Sequence, residues 1–218
     1  MAPPAAILDV DGTLVDNNYQ HALAWHLALR REGVVVPVWR IHRAVGVGGD
    51  KIVAEVAGRE VEDRHGDEIR EHESEIFGSM IGDVVAVEGA TELVRELRER
   101  GGHVVLASSG DAEHIERFID LLAVRELLDG WTTSGDVDST KPDPDLIDVA
   151  LKKVGGAPAV MVGDTTWDLI AAQRAGIDAI AVRSGGFPEV ELRDAGAIAI
   201  YDSVEALRRE LDSSPLAG

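Results

Sequence analysis

Six short apolar runs are spaced along the chain: Ala5–Val10, His103–Ala107, Trp131–Ser134, Ala159–Val162, Ala179–Val182 and Ala197–Ile200. They are of strand length, and most are apolar throughout, as strands covered on both faces are. Between them lie amphipathic stretches near Gly89–Arg100, Ala112–Leu122, Asp145–Val154, Trp167–Ala175 and Val204–Leu211. Strands alternating with helices predict an α/β fold, a parallel sheet with helices on both faces. Gly101-Gly102, Gly155-Gly156 and Gly176 stand where those helices should end, the usual place for a terminating glycine.

Residues 16–87 break the rhythm. Asn18–Arg31 has helical spacing, Trp39–Val45 and Lys51–Val56 read as short helices, and Glu62–Met80 as a longer one. No strand pattern is visible there. The reading is one α/β core, residues 1–15 and 88–218, interrupted after its first strand by an all-helical insertion. Residues 55–76 carry nine acids against three Lys or Arg, which predicts a solvated face. His65 and His72, two turns apart in that run, read as a surface pair rather than a zinc site. The tail, Ser213–Gly218, reads as frayed.

Composition narrows the chemistry. The 218 residues include no cysteine, which excludes a disulfide frame and a thiolate metal site. Lys plus Arg number 21 and Asp plus Glu 40, a formal charge of −19. Such a surface repels nucleic acid and anionic membrane, so neither is an expected partner. An anionic substrate would need local compensation, from a metal and a lysine. No stretch approaches the ~20 apolar residues of a membrane span, and Met-Ala-Pro-Pro at the start leads into no signal-like segment. These features predict a cytoplasmic protein and leave monomer and homodimer equally open.

Four polar motifs follow the apolar runs. Asp-Val-Asp-Gly-Thr-Leu (Asp9 to Leu14) overlaps the end of the first, and Ser108-Ser109-Gly110 follows the second. Lys141-Pro142 lies beyond the third, and Gly163-Asp164, with Asp168 four residues on, follows the fourth. Ligands of open α/β sheets bind at the carboxyl edge, where strand ends would gather these groups. Carboxylates, a hydroxyl and a lysine collected there suit phosphoryl transfer. A second Asp-x-Asp, Asp136 and Asp138, sits in a Gly/Ser/Thr-rich loop with no metal partner suggested and reads as solvent-facing.

This ordered set resembles the haloacid dehalogenase-like (HAD) superfamily, and within it the phosphoglycolate phosphatase and β-phosphoglucomutase branch. The likeness runs from about Ala6 to about Ala181. It implies a Rossmann-like three-layer core with a helical cap where the insertion falls. Asp9 is then the nucleophile, attacking phosphorus to give an acyl-phosphate and splitting one hard step into two. Asp11 is the expected general acid and base, a role that calls for a raised pKa. In dehalogenase members this position is not Asp, so its presence favours phosphoryl transfer over carbon–halogen chemistry. Mg²⁺ is the implied cofactor, held by Asp9, the Asp11 backbone carbonyl and Asp164, with Asp168 either at the metal or orienting Lys141. Ser108, the Ser109 backbone N–H and Lys141 are expected to hold the transferring group. Gly12 lets the chain turn sharply beside the substrate, and Thr13 reads as structural.

Specificity then has to come from the insertion. Val45–Lys51 holds three glycines and a lysine, and the Gly48–Gly49 backbone and Lys51 are expected to touch substrate; a plain interhelical turn is the alternative. His21 lies twelve residues after Asp9, a spacing also found in β-phosphoglucomutase-like members, and with Trp25 is placed at the mouth of the site or in the cap's own core. The resemblance implies a Mg²⁺-dependent phosphatase acting on a small phosphorylated metabolite. A sugar-phosphate mutase is the alternative. A phosphonate hydrolase using Lys51 is a third reading, although the spacing of Lys51 from Gly46 does not match that family. A non-enzymatic binding protein is a fourth, and intact Asp9, Asp11, Ser108, Lys141 and Asp164 argue against it. One departure from the family pattern is Val87-Glu88-Gly89, where relatives often carry a proline; it implies a looser hinge.

Overall fold

A computed structural model describes residues 3–217. Met1 and Ala2 of the N-terminal segment and Gly218 of the tail lie outside the described residues. The strands are β1 (Ala5–Leu8), β2 (Val15–Asp16), β3 (Val85–Ala86), β4 (Val104–Ala107), β5 (Gly130–Thr132), β6 (Ala159–Gly163), β7 (Asp178–Val182) and β8 (Ala197–Tyr201). Six form one parallel sheet in the order β5-β4-β1-β6-β7-β8. The chain builds outward from β1 on one side, then crosses back to start the other side at β6. That reversal puts the ligand crevice of an open α/β sheet at the ends of β1 and β6.

The apolar runs form strands because both faces are covered. Alternate residues point to opposite sides. Ala6, Leu8, Val104, Leu106, Val160 and Val162 enter one apolar cluster, and Ala5, Ile7, Val105, Ala107, Ala159 and Met161 the other. The first cluster is closed by α5 (Ala90–Glu99), α6 (Ala112–Leu122) and α10 (Val204–Arg209). In α6 the buried set Ile115, Phe118, Ile119 and Leu122 has the three-and-four spacing of a one-sided helix. The second cluster is closed by α7 (Asp145–Lys153), α8 (Thr166–Ala175) and α9 (Glu189–Asp194). Each buried Leu, Ile or Phe contributes about 1.5–3 kcal/mol, so this two-sided core carries most of the fold's stabilisation.

The insertion holds α1 (Asn18–Arg31), α2 (Val38–His42), α3 (Ile52–Ala57) and α4 (Arg59–Met80). α1 and α3 pack along α4, burying Trp25, Leu29 and Ile52 with Ile69 and Phe77. Four readings of the sequence need correction here. Strands do occur between Val15 and Val87: β2 and β3 pair antiparallel, Val15 with Ala86 and Asp16 with Val85. Two residues are too few to show a period of two. The Val87 N–H extends the ribbon to the Leu14 carbonyl at 2.9 Å, tying a hinge that the missing proline had suggested was loose. The tail is not frayed through Ala217, because Leu216 is fully buried in the first cluster and Ser214 is nearly so. Finally, α9 went unpredicted; its six residues bury one side chain, Leu192, and leave no periodic trace.

Candidate active site

Three segments that follow strands bring four charged side chains to the β1–β6 crevice. Asp9 comes one residue after β1, and its N–H is bonded to the Val162 carbonyl of β6 at 2.9 Å. Asp164 follows β6 directly, and Asp168 stands in the first turn of α8. Lys141 arrives from the loop between β5 and α7. All four side chains are buried. The Lys141 ammonium contacts Asp9 and lies 2.7 Å from Asp168 Oδ1. Carboxylate oxygens of Asp9, Asp164 and Asp168 come within 4.8 Å of one another.

Local structure fixes these groups. Asp168 Oδ2 accepts from the Thr165 N–H at 3.1 Å and the Thr165 hydroxyl at 2.7 Å, closing a capping box at the start of α8. Its other oxygen faces Lys141, so Asp168 is both helix cap and lysine anchor. Asp164 Oδ1 accepts from the Thr13 hydroxyl at 3.1 Å, and Oδ2 from Asn18 Nδ2 at 2.8 Å. Gly12 turns the chain at a φ of 78°, a left-handed conformation natural to glycine. A Cβ there would run into Asn18 and Asp164. Gly12 therefore makes room for the Asp164–Asn18 contact, and it does not line the cavity.

Charge is crowded in this space. Burial pushes the Asp9 carboxyl well above the usual carboxylate range; Lys141 opposes the rise, while Asp168, Asp164 and Asp11 add to it. Asp164 is pushed up to about 7, by burial first and Asp168 next. Burial disfavours the Lys141 ammonium, but Asp168 and Asp9 outweigh it and hold its pKa above the ordinary lysine value. Three buried carboxylates against one lysine leave an electrostatic deficit that a hard divalent cation would fill. The all-oxygen donor set suits Mg²⁺. Asp9 and Asp164 are the better placed to hold it, since Asp168 is committed to Thr165 and Lys141.

Asp11 has a different environment from the one the sequence predicts. Burial pushes its pKa up, but donors from His21, Asn17 and Ser108 outweigh this and hold it below the usual range. Asn17 Nδ2 donates to Asp11 Oδ1 at 2.5 Å, and the Ser108 hydroxyl to Oδ2 at 2.8 Å. His21 Nε2 lies 3.4 Å from Asp11 Oδ1, and its Nδ1 3.2 Å from Glu73 of α4. Burial disfavours the imidazolium, but the two carboxylates raise its pKa to about 9. The ring stacks on Phe77, centroids 3.8 Å apart. The raised pKa expected at Asp11 is therefore found on its neighbour: the pair shares one proton, and His21 carries it.

A cavity of about 230 Å³ opens over these groups, lined from below by Asp9, Asp11, Ser109 and Lys141 and from above by His21, Trp25, Gly49 and Arg70. Ser109 lines it, and its buried hydroxyl has no partner among the described residues; the Ser108 hydroxyl turns instead to Asp11. Lys51 also departs from expectation. Its ammonium bonds the Thr140 carbonyl and sits 2.8 Å from Asp143 Oδ2, and it does not line the cavity. Asp50 bonds the Thr140 hydroxyl, and the Gly48 N–H donates to the Lys141 carbonyl at 3.2 Å. Gly48 and Lys51 thus latch the insertion to the lysine-bearing loop, and Gly49 alone of the predicted trio faces the cavity.

Elsewhere, Asp136 and Asp138 are exposed, Asp136 capping its own turn through Thr133. His65 and His72 both pair with Glu32. Asn17, Asn18 and Glu73 were not singled out from the sequence. The adjacent asparagines at the start of a helix were a usable signal, whereas Glu73 looks like any other acid of its run.

Comparison with known proteins places the chain in a family. A family profile described as haloacid dehalogenase-like hydrolase matches residues 3–176. Validoxylamine A 7'-phosphate phosphatase of Streptomyces hygroscopicus subsp. limoneus is 26% identical over 186 residues, 79% of this chain and 82% of that protein. Phosphoglycolate phosphatase of Pseudomonas fluorescens is 25% identical over 214 residues, 94% of this chain and 78% of that protein. The crystal structure of a hydrolase from Pseudomonas syringae superposes with a TM-score of 0.90 at 30% identity, covering 96% of this chain and 98% of that one. The chain belongs to the haloacid dehalogenase-like hydrolases.

Proposed function

We propose that the protein is a Mg²⁺-dependent phosphomonoesterase working through an aspartyl-phosphate on Asp9. The observation that carries this reading is the buried Asp9 carboxylate, in contact with Lys141 and beside Asp164, at the floor of a cavity. Relatives named as phosphatases support it.

Asp9 attacks phosphorus as the bond to the leaving oxygen breaks. Lys141 neutralises charge on the transferring group and, held by Asp168, needs no reorganisation to do so. Asp11 passes a proton to the leaving oxygen, and the negative phosphoryl group nearby makes its carboxylate more basic on arrival. His21 holds that proton in the resting site. Asp11 then takes a proton from the water that opens the aspartyl-phosphate, restoring Asp9. A bound Mg²⁺, held by Asp9, Asp164 and the Asp11 carbonyl, would supply charge neutralisation between the two anions. The Ser109 hydroxyl is placed to donate to a phosphoryl oxygen. The insertion, residues 16–87, serves as the cap that encloses the leaving group.

The test is phosphate release from a panel of phosphomonoesters. Release should vanish in Asp9→Asn and on removal of Mg²⁺ by chelation. Full activity in either condition would sink the proposal.

A further inference from the structure

Lys141, His21 and Arg70 in the cavity wall are each bracketed by two carboxylates. Lys141 lies between Asp9 and Asp168, and His21 between Asp11 and Glu73. Arg70 lies between Glu62 at 2.9 Å and Asp67 at 2.8 Å. Only Lys141 stands at the floor, where the phosphoryl group would be received. At the far end, the arginine of the cavity wall is already paired, chiefly with the less exposed Glu62, before any ligand arrives.

The Arg70 bracket is built into α4. Gly66 is buried in the middle of this helix, where glycine is a poor choice. A Cβ at that position would stand 2.6 Å from Glu62 Oε1 and 2.8 Å from Arg70 Nη2. The glycine leaves the space in which Glu62 and Arg70 meet. Beyond Arg70 and the His21–Glu73 pair, the roof carries apolar Trp25, Val45, Val47 and Ile52, with Ser74 adding a hydroxyl. The charge of −19 adds a general bias against a second anion.

We infer that the cavity takes phosphomonoesters whose leaving alcohol is uncharged, and turns away those carrying a carboxylate or a second phosphate. The inference rests on the phosphatase reading for which end receives the phosphoryl group, and it names the substrate class of that site. Glu62 is a specificity-determining residue in this account, because it decides whether Arg70 is available to an anion.

The experiment measures binding and turnover separately. Glycerol 2-phosphate, 2-phosphoglycolate and a hexose bisphosphate are titrated into Mg²⁺-loaded Asp9→Asn protein, with and without Glu62→Gln. The uncharged-alcohol ester should bind at least about tenfold more tightly than the other two, since like-charge juxtaposition is costly in an enclosed site. Glu62→Gln should narrow that ratio by about threefold or more, by releasing Arg70. Equal or tighter binding of phosphoglycolate or the bisphosphate overturns the inference, as does a ratio that Glu62→Gln leaves unchanged. Turnover of p-nitrophenyl phosphate by the wild-type protein is followed in parallel. Failure there, with the binding preference intact, would count against the phosphatase reading and leave the selectivity standing.

Discussion

Lys141 Nζ lies 2.7 Å from Asp168 Oδ1, with neither side chain more than 2% exposed. The pair joins a loop after β5 to the first turn of α8, and it aims the ammonium at Asp9. Replacing Lys141 by Met strands two buried carboxylates. Breaking a buried pair by removing one partner costs about 3–5 kcal/mol, so the unfolding midpoint in urea should fall sharply and phosphate release should be lost. Asp168→Asn keeps an acceptor for Thr165 while loosening the lysine. It should cost about 10–100-fold in kcat with a smaller loss of stability. Wild-type stability in Lys141→Met would contradict this account.

The His21 proton gives a pH prediction. Burial opposes the charge, but Asp11 and Glu73 raise the pKa to about 9 from 6.5. A group raised on folding stabilises fully below its unfolded value and loses that contribution as pH rises through the folded value. His21 should therefore remain protonated at pH 8 in an NMR titration of metal-free protein. Its midpoint should drop in Glu73→Gln. A wild-type midpoint below pH 7 would refute the shared-proton arrangement. Asp11→Asn, which removes the group that handles this proton, should slow turnover by about 10²–10⁴-fold.

Metal binding should be linked to protons. Asp164 is raised to about 7, chiefly by burial, so in metal-free protein it ionises only near neutrality. Its folded-state pKa exceeds the unfolded one, so its contribution to stability is present below about 3.8 and lost as pH rises through about 7. Mg²⁺ binds the ionised form, so its affinity should climb between pH 6 and pH 8. Calorimetry in two buffers of different ionisation enthalpy should show proton release at pH 6 and little at pH 8.5. The rise in Tm on adding Mg²⁺ should be greater at pH 8 than at pH 6. An affinity independent of pH across this range would show that Asp164 is not displaced from its proton by the metal.

The latch between insertion and core is open to a direct probe. Asp50→Ala removes the Thr140 contact and Lys51→Met the Asp143 and Thr140 contacts. Each lost bond is worth about 1 kcal/mol, a fivefold change in an opening equilibrium. Amide exchange over residues 46–52 should quicken by about that factor in Asp50→Ala and by about its square in Lys51→Met, with KM rising more than kcat falls. Unchanged exchange in both variants would mean that the loop is held by something else.

The core was legible because its signals are local. β1, β4 and β6 are apolar on both faces, so they stand out as runs, and Asp9, Ser108 and Asp164 follow them directly. Lys141 was visible through its prolines. The environment of Asp11 was not, because it is made by His21, from the insertion, and Ser108, 97 residues away in the chain. Asn18 pairs across 146 residues with Asp164, and Glu73 across 52 with His21. Periodicity reports which face of an element is buried, not which distant side chain it meets. Lys51 was misread for the same reason: a basic residue beside glycines suggests an anion, and here the anion is Asp143 of the core. Leu216 was hidden among small and polar neighbours, and its burial depends on a groove that only the folded core creates.

The β2–β3 ribbon gives the chain a modular grammar. Val15 and Ala86 are direct partners, so the chain leaves the core and returns to it at a single point. Everything strung between them is, for the sheet, a side branch whose removal would leave two adjacent ends to be joined by a turn. Asp9, Asp11, Lys141 and Asp164, the residues proposed to handle phosphate, lie outside that branch, and Glu62, Gly66 and Arg70 lie within it, as does His21. On the proposed reading, substitution at Glu62, Gly66 or Arg70 changes what the molecule accepts while leaving the nucleophile, the lysine and the metal carboxylates in place, whereas His21, on the same branch, serves the reaction itself.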